Sequence, residues 1–122
     1  MQSVDLGIEI GKIYSNFDDG KIRPSRHLYV KILDIIPFNN IDNNVRGDWE
    51  EEIENQDWLY SPNTDYFIKG ELTLSDDSTK VVYYVRTINW GWFSLGWWAG
   101  RLDVDGSLLN TAIAHFGPIE KW

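Results

Sequence analysis

Alternation of apolar and polar side chains with a period of two dominates this chain and predicts strands. Leu6, Ile8, Ile10 and Tyr14 share one parity, with Glu9 and Gly11 on the other, so a first strand is expected over these residues. Asn16-Phe17-Asp18-Asp19-Gly20 follows with turn chemistry, because Asp-Gly tolerates the positive φ of a tight reversal. Residues 28–36 are apolar on both parities: Leu28, Val30, Ile32 and Ile36 on one, Tyr29, Leu33 and Ile35 on the other. A strand covered on both faces, or one bent around a barrel, has this pattern. Pro37 ends it, since proline cannot donate to a central ladder.

Tyr66, Ile68, Leu72 and Leu74 alternate with Lys69, Glu71 and Thr73, the clearest strand in the chain. Ser75-Asp76-Asp77-Ser78 supplies a turn, and residues 80–89, rich in Val, Tyr, Ile and Thr, pair back as a hairpin. Residues 100–104, the turn Asp105-Gly106 and an apolar run to Ile113 predict a last hairpin.

The alternation breaks between the second and third strands. Asp48 is a good helix N-cap, Glu51 three places on completes a capping-box-like pair, and Trp49 and Ile53 share a face at i,i+4. A helix over about 48–57 is expected, with acids in a first turn that suits the positive end of its dipole. Ile41 and Val45 extend the same spacing towards Asp42, but Gly47 argues for the later start. The fold class is therefore mainly β (α+β). The first expectation is a small antiparallel, SH3-like β-barrel of about six strands with one short helix, and the second a strongly twisted open sheet packed on that helix. No internal repeat or linker divides residues 1–122, so one domain is expected, of ordinary size at 122 residues.

Composition narrows the chemistry. The chain has no cysteine, which excludes disulfides and thiolate metal sites. The first eleven residues carry Asp5 and Glu9 and lack a basic segment before an apolar run, unlike a signal peptide. No run reaches the ~18–20 apolar residues of a membrane span. A cytoplasmic protein with no membrane partner is the expectation.

The net charge of −8 is uneven. Asp48, Glu50, Glu51, Glu52, Glu54 and Asp57 crowd one ten-residue window that contains no Lys or Arg. Lys21, Arg23, Arg26 and Lys31 form the opposite cluster, too small to replace counterions along nucleic acid, so no nucleic-acid partner is expected.

Three segments are candidates for function. Trp90-Gly91-Trp92-Phe93-Ser94-Leu95-Gly96-Trp97-Trp98 is either an aromatic plug under a barrel end or a recognition surface. Trp90, Trp92, Phe93, Trp97 and Trp98 are then binding candidates, with at least two of the four tryptophans expected at the surface. Arg23 and Arg26 flank a Pro-Ser kink; they either neutralise nearby acids or grip a carboxylate or phosphate. Glu50, Glu51 and Glu54 form either a solvated outer face or a lure for a basic partner.

Nothing nominates catalytic residues, a metal set or a cofactor. Asp103-Val104-Asp105-Gly106 resembles part of a calcium loop, but Arg101 and Ala112 occupy ligand positions, which favours a turn. His27 and His115 are far apart in the chain, and no phosphate-binding glycine motif occurs. The leading functional expectation is an acidic protein-binding module, an inhibitor or immunity-type protein that blocks a target with a basic surface. The alternatives are a barrel binding a nucleotide or other small anionic ligand, and an enzyme of unfamiliar type.

Overall fold

The computed structural model describes residues 7–18, 29–74, 76–95 and 100–121. Six antiparallel strands follow one another around a closed barrel: β1 (Ile13–Asp18), β2 (Tyr29–Pro37), β3 (Tyr66–Thr73), β4 (Thr79–Arg86), β5 (Trp92–Ser94) and β6 (Gly100–Asp103), with β6 returning to β1. Helix α1 (Asn43–Asn55) lies in the β2–β3 connection, and helix α2 (Ser107–Phe116) follows β6. The mainly β barrel expected from the alternation is present, with two short helices.

Two apolar cores share one wall. Val30, Ile32, Ile68, Leu72, Tyr84, Trp92 and Leu102 fill the barrel. Ile41, Val45, Leu59, Tyr60, Phe67, Val85 and Phe93 form a second core outside it, beneath α1. Because successive strand residues point to opposite faces, Phe67/Ile68, Tyr84/Val85 and Trp92/Phe93 each send one side chain to either core.

The double parity of β2 has a local cause. Ile32 pairs with Gly70 and Asp34 with Lys69, so Leu33 is an extra residue, a β-bulge that slips the alternation by one. Val30 and Ile32 face the barrel before it; after it Ile35 packs inward and Ile36 turns to the outer core.

Polar groups close the barrel where the ladder is sparse. Strands β5 and β6 share the single register pair Phe93↔Arg101 among the described residues. Across this seam the Gly100 N–H donates to Ser94 Oγ at 2.9 Å, and the buried Tyr60 hydroxyl donates to the Ser94 carbonyl at 3.0 Å. Inside, the Tyr84 hydroxyl donates to Asn16 Oδ1 at 2.7 Å, and Gly100 leaves the space that the Asn16 carboxamide fills.

Four local expectations are corrected. Strand β1 starts at Ile13 rather than near Leu6 and runs through Asn16 to Asp18, since Asn16 bonds a core tyrosine instead of forming a turn. Gly7 and Gly11, with φ of 70° and 89°, bend the chain before it; Leu6 and the Asp19-Gly20 pair lie outside the described residues. Helix α1 starts at Asn43, where the Asp42 carboxylate accepts the Asn44 N–H at 2.7 Å. Gly47 sits inside the helix at a cost of ~1 kcal/mol, which burial of Ile41 and Val45 at ~1.5–3 kcal/mol each exceeds.

The third correction concerns Asp105-Gly106, which starts a helix rather than a hairpin, and the fourth the strand expected after it. Asp103 accepts the Leu108 and Leu109 N–H groups, both at 3.0 Å, and Asp105 accepts that of Ser107 at 3.0 Å. Three of the free donors of α2 are thereby satisfied, and Ala112 is fully buried. The strand expected after that turn is therefore helical, and Trp92–Ser94 supplies the sixth strand instead.

Gly70 provides a direct test of the inner packing. A Cβ there would stand 2.5 Å from Val30 Cγ2 and 3.4 Å from Tyr84 Cε2. Gly70→Ala is expected to destabilise the fold by ~1–3 kcal/mol in chemical denaturation. The double variant with Val30→Ala should lose less than the sum of the two single changes, because the second removes the clashing methyl.

Candidate functional site

Helix α1 is held from one side. Val45 is buried, and Trp49 and Ile53 are half-buried against the outer core. The Phe38 ring anchors this face: Phe67 stacks on it at 5.8 Å, Trp49 meets it edge-on at 5.2 Å, and the Arg46 guanidinium lies 4.8 Å from its centroid. Arg46 also donates to the Phe38 carbonyl at 3.2 Å. The buried Arg46 Nε and Trp49 Nε1 have no hydrogen-bond acceptor.

With that face inward, Asp48, Glu50, Glu51 and Glu54 are exposed and Glu52 is half-buried. The earlier start of α1 leaves no acid in its first turn. The carboxylates occupy the middle and the C-terminal half instead, towards the negative end of the dipole, with like charges at i,i+4 in Asp48/Glu52 and Glu50/Glu54. Among the described residues none of them forms an ion pair; the one salt bridge there joins Lys12 and Glu9.

The chain leaves α1 through Gln56 and Asp57 to Trp58, which is 66% exposed. Leu59 and Tyr60 then turn inward. The Ile88 N–H donates to the Leu59 carbonyl at 2.8 Å and the Ser61 N–H to the Arg86 carbonyl at 3.1 Å, with Tyr60 bridged to Thr87. This clamp brings the acidic helix and Trp58 to the end of β4, where Ile88 and Trp90 are 50% and 51% exposed.

Trp90 and Trp92 share a parity in the sequence but not in space. The Gly91 carbonyl accepts both the Thr87 N–H and the Thr87 hydroxyl at 2.8 Å, and Thr87 Oγ1 accepts the Trp90 N–H at 2.9 Å. Gly91 at φ 78° completes this turn and reverses the alternation. Trp90 therefore points out while Trp92 enters the barrel, 5% exposed; Phe93, 6% exposed, belongs to the outer core.

Of the residues singled out in the sequence, Glu50, Glu51, Glu54 and Trp90 are exposed at this end, and Trp92 and Phe93 are core. Arg23, Arg26, Trp97 and Trp98 lie outside the described residues. Sequence reasoning missed Trp58, whose one signal is an aromatic ring directly behind an acidic run, on no strand. Asp103 and Asp105 cap α2, which accounts for the motif that resembles a calcium loop.

Glu52 is where charge crowding meets the core. Burial raises its pKa, and the Glu51 and Asp48 charges add to this, against the nearby Tyr60 hydroxyl and the hydrogen bond that Gln56 donates at 3.1 Å. The Tyr60 phenol is pushed well above its ordinary value by burial and by the Glu52 charge. A raised carboxylate favours its neutral form in the folded state. Its stabilising contribution is complete below the ordinary glutamate range and is lost as pH rises through the elevated value.

Glu52→Gln should therefore exceed the parent in stability at pH 7 by ~0.5 kcal/mol, on the scale of one like-charge helix pair. The difference should vanish as pH falls through the carboxylate range. Asp76 and Asp105, lowered by hydrogen bonds from Ser78 and Ser107 respectively, titrate in both proteins and cancel in the comparison. Denaturant titrations of both proteins at pH 3, 5 and 7 check this, and a pH-independent difference contradicts it. Comparisons with known protein families, with curated proteins and with solved structures each returned no match.

Proposed function

We propose that this chain is a protein-binding module directed at a target with a basic surface, acting as an inhibitor or immunity-type protein that covers its target. One observation carries the reading: α1 exposes its carboxylates without ion pairs among the described residues, and the chain that leaves it exposes the ring of Trp58. Within the fold that row is a cost. Like charges at i,i+4 and acids towards the helix C-terminus each destabilise by a few tenths of a kcal/mol. A cationic partner reverses the sign of both effects.

The parts have complementary tasks in such a complex. The carboxylates accelerate encounter with a cationic target and disfavour acidic ones. Trp58, Ile88 and Trp90 supply the apolar contact that slows dissociation, and Trp is the residue type most enriched among energetic anchors. A closed barrel with a docked helix presents this surface already ordered, so little conformational entropy is lost on binding.

The test compares variants. The parent chain, the Glu50→Gln/Glu51→Gln/Glu54→Gln variant and Trp58→Ala are immobilised and exposed to native lysate of the producing cells, with captured proteins identified by mass spectrometry. The parent should retain a protein of high isoelectric point. With that protein purified, the charge variant should associate at least tenfold more slowly at low salt, with a flatter salt dependence and a smaller change in dissociation. Trp58→Ala should weaken affinity by ~2 kcal/mol through faster dissociation while the fold's stability holds. Equal association rates for parent and charge variant across the salt series overturn the proposal.

A further inference from the structure

The same turn that exposes Trp90 also borders a groove of different character. Ser61, Pro62 and Asn63 form one wall and Arg86, Thr87, Ile88, Asn89 and Gly91 the other, around ≈ 810 Å³. This is the size range of sites for small organic ligands. No acid among the described residues lines it, although the chain carries 19 acidic residues against 11 basic ones. Among the described residues its single charge is the Arg86 guanidinium, which lies 5.4 Å from the centroid of the Trp92 ring and forms no ion pair there.

The ring contact orients Arg86 without using its fork of N–H donors, which suit bidentate contact with a carboxylate or phosphate. The Asn63 and Asn89 side-chain amides have no hydrogen-bond partner among the described residues, so both can serve a ligand. The Ser61 and Thr87 hydroxyls are engaged in the local turns.

A second cation approaches from the other side of Gly91. A Cβ on Gly91 would stand 3.8 Å from Arg101 Nε and 4.0 Å from Arg101 Nη2, so this guanidinium lies against the glycine's bare face. Arg101 has the exposed Asp105 as an electrostatic neighbour, though not within ion-pair distance. It lines a smaller hollow of ≈ 190 Å³ with Gly91 and Trp92. Arg86 is thus the charge of the groove, and Arg101 lies beyond Gly91 in the neighbouring hollow, which Asp103 and Asp105 also line.

We propose that this groove binds a small organic oxyanion, with the phosphate or carboxylate of the ligand on Arg86, its polar body on the Asn63 and Asn89 amides, and Arg101 adding longer-range attraction. The site shares Ile88 with the apolar contact proposed above but none of the α1 carboxylates, and it does not depend on the protein-partner reading.

The test is a two-dimensional amide NMR titration of the full chain with four probes. Adenosine monophosphate and glucuronate carry the two candidate anionic groups, and adenosine and glucose are their uncharged counterparts. At least one charged probe should shift the amides of residues 61–63 and 86–91, while its uncharged counterpart leaves them in place. The tighter-binding of the two identifies the anionic group.

Arg86→Gln should weaken that probe at least tenfold, the loss expected for one charge-assisted contact. Arg101→Gln should weaken it about threefold and steepen no other response, as expected of screened attraction at longer range. Spectral dispersion reports whether each variant is folded; if Arg86→Gln is not, the Arg101→Gln result decides. The proposal is overturned if neither charged probe shifts these amides, if an uncharged counterpart binds as tightly, or if the folded variants bind like the parent.

Discussion

Burial of β3, β4 and β5 on both faces is the constraint on which the other features depend. A strand in a small barrel ordinarily shows one face to the interior and one to water. Here Phe67, Val85 and Phe93 stand on the outer side of the wall whose inner side is Ile68, Tyr84 and Trp92. Leaving three such side chains in water would forfeit ~1.5–3 kcal/mol each, so the barrel requires a cover. Helix α1, Phe38 and the 59–60 segment provide it, and their attachment places everything exposed at that end of the molecule.

The charge layout follows from this attachment. Once Ile41, Val45, Trp49 and Ile53 face the wall, the carboxylates of α1 have no direction but outward, and Glu52, nearest the core, feels both burial and its neighbours. The clamp of residues 59–61 onto 86–88 then turns Trp58 out beside them while tucking Leu59 and Tyr60 in. The same clamp forms the walls of the acid-free groove containing Arg86. Opposite electrostatic characters thus meet across one short stretch of hydrogen-bonded backbone.

Much of the barrel was legible because its signals were local. Tyr66, Ile68, Leu72 and Leu74 alternate as they pack, and the double parity of β2 marked a bent strand even though the bulge at Leu33 was not identified. The failures share a cause: a local motif with two uses, resolved by a contact distant in sequence. Asp48 and Glu51 imitate a capping box, but the outer core takes Ile41 and Val45 as well and moves the cap to Asp42. Asp105-Gly106 serves a hairpin or a helix start, and the reach of Asp103 to Leu108 and Leu109 selects the helix. Asn16 reads as a turn residue until Tyr84, 68 positions away, claims its side chain. For the candidate surface, acids and Trp90 were visible in the sequence, whereas the exposure of Trp58 depends on how the chain leaves α1.

Through the outer core, α1 belongs to the barrel's own cooperative unit rather than being an attached appendage. Native-state amide hydrogen exchange tests this most directly, because elements that open together exchange with one free energy. The amides of α1 beyond its frayed first turn should exchange at the same opening free energy as those of Phe67, Ile68, Tyr84 and Val85. If α1 instead exchanges orders of magnitude faster than β3 and β4 at equal intrinsic rates, the helix is not held by the shared wall, and the ordered acidic face beside Trp58 loses its structural basis.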